Sequence, residues 1–137
     1  MEDAAEEDLV APDLDAFAEM AARAFESLPA AFRARCASVV IRVADFASDE
    51  ILREMEIDDP FDLTGLYSGV DLTLKSHEDI APPPDEVWLY RRPILDEWAE
   101  RGDVGLYELV SHVLVHEIGH HFGLTDDQIA AIEARAE

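Results

Sequence analysis

The sequence predicts a small α+β protein with about three strands and four or five helices. Residues 13–28 repeat apolar side chains at helical spacing after an aspartate that can cap the helix. The segments 38–44 and 86–91 are short and rich in β-branched or aromatic residues, which is typical of strands. Residues 105–122 have the apolar body of a long buried helix.

Length and composition predict one folded domain with a short tail. A chain of 137 residues, 49% of them hydrophobic, can bury one core. Residues 1–12 are acidic and end near Pro12, so we expect a disordered acidic tail there and a single domain over 13–137. No uninterrupted apolar run is long enough to predict a transmembrane helix.

The remaining elements follow from local signals. The apolar stripe of the first helix consists of Leu14, Phe17, Ala18, Ala21, Ala24, Phe25 and Leu28. Further helices are predicted over 30–35, over 48–55 after a possible cap at Ser48, from Pro93 to about residue 100, and after Thr125, where Thr-Asp-Asp-Gln has the form of a capping box. Residues 63–74 alternate apolar residues with glycines and predict a strand broken by glycine.

The net charge limits the classes of partner. A formal charge of −22 argues against nucleic-acid binding, which needs basic patches to neutralise phosphates, and against docking on anionic membranes. The simplest role for this charge is solubility, and a preference for basic substrates is the alternative. We expect a monomer that acts on a peptide or protein substrate.

The acidic start and the cysteine count predict a cytoplasmic protein. A secretory signal would place basic residues before an apolar stretch, whereas this chain begins with acidic residues. Cys36 is the only cysteine, so no disulfide can form within the chain, and we expect a buried thiol.

One segment of the long helix has the spacing of a metal site. His116 and His120 are four residues apart, so a helix places both imidazoles on one face. Two imidazoles and a carboxylate suit a catalytic zinc with an open coordination position. Glu117 follows the first histidine, where a general base is needed. The pattern predicts one zinc per chain and a hydrolase, most simply a peptidase.

The turn after the long helix predicts the third metal ligand. Gly123 can adopt the left-handed conformation that ends the helix, which lets the chain bring Asp126 back toward the metal. Asp126 could instead sit in the first turn of the last helix and favour its dipole, and the two roles can coexist. Asp127 and Glu133 are the alternative ligands.

Two other histidines lie on the same helix. His121 directly follows a predicted ligand and points about 100° away around the helix, so we expect a packed or hydrogen-bonded histidine. His112 precedes His116 by one turn and could support the metal ligands or be a buried, hydrogen-bonded residue.

Three segments resemble a known family. The sequence His-Glu-Ile-Gly-His-His-Phe-Gly-Leu-Thr-Asp over 116–126 is similar to the signature of the small bacterial zincin-like metallopeptidases. The segments 63–69 and 87–93 resemble two other recurring segments of that family, so the resemblance covers roughly 35–130. It implies a minimal zincin-like fold, in which a small mixed sheet packs on an active-site helix and flanking helices.

The resemblance also implies the chemistry of the site. It implies zinc on His116, His120 and Asp126, with Glu117 as the catalytic base. The spacing resembles the metzincin pattern with aspartate in place of the third histidine. Metzincins have a methionine-containing turn beneath the metal, whereas no methionine follows Met55 in this chain.

The sequence is compatible with three functions. The first is a zinc-dependent peptidase whose substrate backbone pairs with the segment around 66–72, as in other zincins. The second is a zinc-binding module with weak or no hydrolytic activity that acts as a protein-interaction domain. The third is an acidic interaction protein with incidental histidines. Glu117 favours the first, because a structural zinc needs no base and fills four positions with protein ligands.

Overall fold

The computed structural model describes residues 11–69, 85–125 and 127–128, and these contain five α-helices and a three-stranded mixed sheet. The predicted tail over 1–12 lies almost wholly outside these residues, as does most of the predicted last helix. The predicted α+β class is confirmed, with three strands and five α-helices in the described part of the chain.

The described helices and strands have the following bounds. The helices are α1 (Leu14–Glu26), α2 (Ala30–Arg35), α3 (Asp49–Glu54), α4 (Arg91–Arg101) and α5 (Leu106–His121). The strands are β1 (Val39–Ala44), β2 (Gly65–Ser68) and β3 (Asp85–Tyr90), and a 3-10 turn over Pro60–Asp62 precedes β2.

Side-chain caps fix the starts of two helices. The Asp13 carboxylate accepts a hydrogen bond from the Ala16 backbone N–H at 2.9 Å and begins α1. The Ser48 hydroxyl accepts one from the Ile51 N–H at 3.2 Å and begins α3. The predicted cap at Ser48 is therefore present, although the sequence there lacks the acidic partner of a complete capping box.

The helix α4 begins earlier than predicted. It starts at Arg91, directly after β3, instead of at Pro93. Pro93 is then the third helical residue, and its missing N–H has no consequence because the first turn of a helix has no intrahelical acceptor for these groups. The helix ends at Arg101 and is followed by Gly102, whose φ of 68° is left-handed.

The sheet has the order β1–β3–β2, with β3 in the centre. Strand β1 runs parallel to β3, with Val39 opposite Asp85. Strand β2 runs antiparallel to β3, with Gly65 opposite Leu89. Within the described residues β2 is therefore an edge strand.

Alternate residues of β3 supply two separate cores. Val87 and Leu89 face the main core between the sheet, α1 and α5. Tyr90 faces the opposite side and packs in a smaller cluster with Leu52 and Leu63. The buried residues of the main core are Phe17, Ala21, Ala24, Cys36, Val87, Leu89, Ile94, Leu109, Val110, Val113, Leu114 and Ile118.

Most of the predicted stripe of α1 lies in this main core, but Ala18 is exposed. Cys36 is buried as expected, and its burial raises the pKa of the thiol.

Candidate metal centre

Helix α5 contains the predicted site and packs against three other elements of the fold. Its apolar residues pack against α1, β2 and β3, so the helix lies under one face of the sheet. At its end the Gly123 N–H donates to the His120 carbonyl and the Leu124 N–H donates to the Gly119 carbonyl, each at 3.0 Å. Gly123 has a φ of 73°, so the left-handed termination predicted from the sequence is present.

The helix brings His116, Glu117 and His120 together. One ligand atom from each of the three side chains lies within 4.8 Å of the others. The two imidazole centroids are 5.0 Å apart, with their planes at 82°. All three residues are half-buried, so the site is neither sealed in the core nor fully solvated.

The donor set suits a divalent transition metal. Imidazole nitrogens and a carboxylate are ligands that zinc accepts, and zinc binds them at about 2.0–2.2 Å. Two imidazoles from one helical turn supply part of a coordination shell and leave positions for a third protein ligand and for water. The residues present therefore fit the ion that the sequence predicts.

Gly65 lets the edge strand approach the helix at the site. A Cβ added to Gly65 would lie 2.6 Å from Val113 Cγ1 and 3.2 Å from Glu117 Cγ. Only a residue without a side chain leaves α5 and β2 this close together. In the sequence this glycine indicates only an interruption of a strand, and its close approach to Glu117 is visible only in the fold.

Tyr90 is a second feature that the sequence did not reveal. Its side chain is buried, and its hydroxyl has no hydrogen-bond partner among the described residues. Burial, and to a smaller extent the charge of Glu117, raises the pKa of Tyr90 to about 12. The phenol therefore stays neutral at physiological pH. Because the charge of Glu117 contributes to its pKa, the Tyr90 side chain lies within electrostatic range of the proposed site.

The other two histidines of α5 differ in their exposure to solvent. His121 is fully buried, and both ring nitrogens lie within hydrogen-bond distance of protein atoms, which confirms the expectation of a packed, hydrogen-bonded residue. His112 is exposed, so the expectation of a buried histidine at that position is wrong. The two differ because α5 turns one face to the sheet and another to solvent.

Asp126 lies outside the described residues, so its role as third ligand stays a prediction. The chain on either side of it is described. The Thr125 N–H donates to Gln128 Oε1 at 2.9 Å and the Gln128 N–H donates to Thr125 Oγ1 at 3.2 Å, which completes the predicted capping box. Of the alternative ligands, Asp127 is exposed and Glu133 is outside the described residues.

Comparison with known proteins gives one family. Residues 36–136 match the family model described as zincin-like metallopeptidase. No curated protein matches the chain. In the described part of the chain, no helix combines the length and the apolar character that crossing a bilayer requires.

Proposed function

Because the chain belongs to the zincin-like metallopeptidase family, we propose that it is a zinc-dependent peptidase that uses Glu117 as its general base. The observation that carries the proposal is the convergence of His116, Glu117 and His120 within 4.8 Å on one turn of α5. His116 and His120 would hold the zinc, with Asp126 as the third ligand. The family match supports the metallopeptidase class, and the residue roles are our proposal.

The chemistry follows from the placement of Glu117. Zinc, when bound, supplies a positive charge that polarises the substrate carbonyl and acidifies water. The Glu117 carboxylate takes a proton from water as the water oxygen bonds to the carbonyl carbon. The carbon–nitrogen bond then breaks, and Glu117 gives the proton to the leaving amine. The acid and the amine are the products, and Glu117 is regenerated as a carboxylate.

Strand β2 is suited to hold the substrate backbone. It is an edge strand among the described residues, and Gly65 at its start lies against Glu117. An extended peptide that pairs with this edge would place its backbone next to the base. This assigns Gly65–Ser68 to the role predicted for 66–72, of which residues 70–72 lie outside the described part of the chain.

Metal analysis of the purified chain tests the metal site. We expect about one zinc per chain in the wild type and loss of zinc in His116→Ala and in His120→Ala, because each substitution removes an imidazole ligand. Wild-type protein that takes up no zinc would contradict the proposal.

A peptide-library assay tests the role of Glu117. The variant Glu117→Gln should keep zinc and cleave peptides about 100- to 10,000-fold more slowly, because it removes the base and leaves the histidines. Glu108→Gln is the matched control, since Glu108 is an exposed residue in the first turn of the same helix. Equal cleavage by Glu117→Gln and the wild type would exclude Glu117 as the base. Zinc in a wild type that cleaves no peptide would instead indicate a zinc-binding interaction module.

A further inference from the structure

His121, the residue after the second proposed ligand, is held by three other elements. Its Nε2 lies 3.2 Å from the backbone carbonyl oxygen of Arg35, at the end of α2. Its Nδ1 lies 3.2 Å from the Tyr67 hydroxyl on β2 and 3.2 Å from Asp85 Oδ2, at the start of β3. The imidazole therefore has polar partners in two different directions, and none of them belongs to α5.

The carboxylate in this group is itself buried and closely fitted. Asp85 is 2% exposed and His121 is 0% exposed. A Cβ added to Gly69 would lie 2.2 Å from Asp85 Oδ1, so the absence of a side chain at Gly69 makes room for the carboxylate. We call His121, Asp85, Tyr67 and the Arg35 carbonyl the His121 network.

We propose that the His121 network positions the metal ligands by fixing the rotation of α5 relative to β2 and β3. Successive residues of a helix project about 100° apart, so His120 and His121 point to different sides of the same rigid turn. A rotation of α5 that moved one ring would move the other. The inference rests on the proposed function, because it takes His116 and His120 to be the ligands.

The polarity of the network supports a positioning role over simple packing. An apolar side chain at position 121 could also fill the space, but apolar contacts are non-directional and would hold the rotation of the helix less strictly. Buried polar groups that contact one another add little net stability over well-packed apolar residues, because each of them loses its hydration on folding. The hydrogen-bond contacts with Tyr67 on β2 and with the Arg35 carbonyl of α2, together with the close contact to Asp85 on β3, instead define one orientation of the ring and of the helix that carries it.

Metal affinity tests the inference. We would remove metal from the full-length chain with a chelator and titrate Zn²⁺ in competition with a chromophoric chelator. The visible spectrum of the Co²⁺-loaded protein would report the geometry of the site. We expect His121→Gln and Asp85→Asn to bind Zn²⁺ about tenfold more weakly, with a changed Co²⁺ spectrum. Tyr67→Phe, which removes only a hydroxyl, should shift both readouts in the same direction by a smaller factor.

Matched variants separate positioning from general destabilisation. Glu86→Gln changes the next residue of β3, which forms an ion pair with Arg42, and Tyr107→Phe removes a hydroxyl from a tyrosine outside the network. Leu52→Ala truncates a buried residue in the other cluster and lowers stability away from α5. All three should keep wild-type Zn²⁺ affinity and the wild-type Co²⁺ spectrum under conditions where circular dichroism shows a folded protein.

The outcomes distinguish the inference from the proposed function. If the wild type binds Zn²⁺ and the folded network variants bind it equally well with an unchanged Co²⁺ spectrum, the positioning role is overturned and the proposed metal site stands. If Leu52→Ala weakens binding as much as the network variants do, the effect is general destabilisation and the inference is also overturned. If the wild type binds neither ion, the proposed function fails and the inference fails with it. If His121→Gln does not fold, the Zn²⁺ affinity and the Co²⁺ spectrum of Tyr67→Phe decide whether the positioning role holds.

Discussion

His120 and His121 are neighbours in the chain but differ in burial and in the groups that they contact. His120 is half-buried, faces His116 and Glu117, and belongs to a group that can hold a metal. His121 is fully buried and bonded to protein atoms at both ring nitrogens. One step around a helix is enough to separate a ring that faces a candidate metal group from a ring that is buried against three other elements. The same residue type therefore has two environments, which neighbouring elements determine.

Alanine substitution should separate the two histidines most clearly. His121→Ala removes a fully buried ring together with its polar contacts to Tyr67, Asp85 and the Arg35 carbonyl, so we expect a loss of about 2–5 kcal/mol in the free energy of unfolding. His120→Ala on metal-free protein should lose about 1 kcal/mol or less, because His120 lies outside the buried core. Urea unfolding of both variants in excess chelator measures the difference. Equal losses would show that burial does not distinguish the two rings energetically.

A methyl group at Gly65 should affect the site from the strand side. Gly65→Ala puts a Cβ 2.6 Å from Val113 Cγ1, so we expect a loss of about 1–3 kcal/mol in stability together with slower peptide cleavage as Glu117 is displaced. Gly105→Ala is the control, because its Cβ would meet no atom closer than 3.7 Å. The control should lose less than about 1 kcal/mol, through its position as helix cap, and keep its cleavage rate. Wild-type stability in Gly65→Ala would contradict the close approach of β2 and α5.

Two tyrosines should respond with opposite signs to loss of the hydroxyl. The Tyr90 hydroxyl is buried with no hydrogen-bond partner among the described residues, so Tyr90→Phe should raise the free energy of unfolding by about 1 kcal/mol. The Tyr67 hydroxyl contacts His121, so Tyr67→Phe should lower it by about 1 kcal/mol. Chemical denaturation at neutral pH checks the signs. A loss of stability in Tyr90→Phe would reveal a partner for that hydroxyl.

Tyr90 should also make stability depend on alkaline pH. Because the pKa of Tyr90 rises from 10.0 to about 12 on folding, the folded state keeps a proton that the unfolded state loses. The stabilisation is complete below about pH 10 and is lost as the pH rises toward about 12, by an amount on the order of 1 kcal/mol. Comparing urea midpoints of the wild type and Tyr90→Phe across this range isolates the contribution, since the variant lacks the phenol. If the urea midpoints of the two proteins changed in parallel with pH, a contribution of Tyr90 to the alkaline loss of stability would be excluded.

The smallest effect is expected at Glu86, the half-buried neighbour of Asp85. Glu86 pairs with Arg42, whose side chain is 49% exposed, and solvent screens such a pair. Glu86→Gln should therefore change the free energy of unfolding by less than about 0.5 kcal/mol, whereas Asp85→Asn should cost several times more. Chemical denaturation of the two variants in low and high salt measures the change in the free energy of unfolding for each substitution. A large effect at Glu86 would show that burial is not what distinguishes these adjacent acids.

The sequence by itself determined the type and approximate place of most elements and the spacing of the proposed metal site. Local signals suffice for these features, because caps act over three residues and helical periodicity places His116 and His120 on one face. The capped starts at Asp13 and Ser48 and the glycine termination at Gly123 are all present. The metallopeptidase family was likewise recognisable from the motif and from two segments that precede it in the chain.

Only the tertiary structure decided what surrounds the motif. His121 meets Tyr67 across 54 positions and Arg35 across 86, and no local pattern encodes such pairings. The contact of Gly65 with Glu117 depends on the antiparallel register of β2 on β3, and the burial of Tyr90 depends on which face of β3 it occupies. Short-range geometry is dictated by the backbone, whereas long-range neighbours are selected by the packing of the whole core.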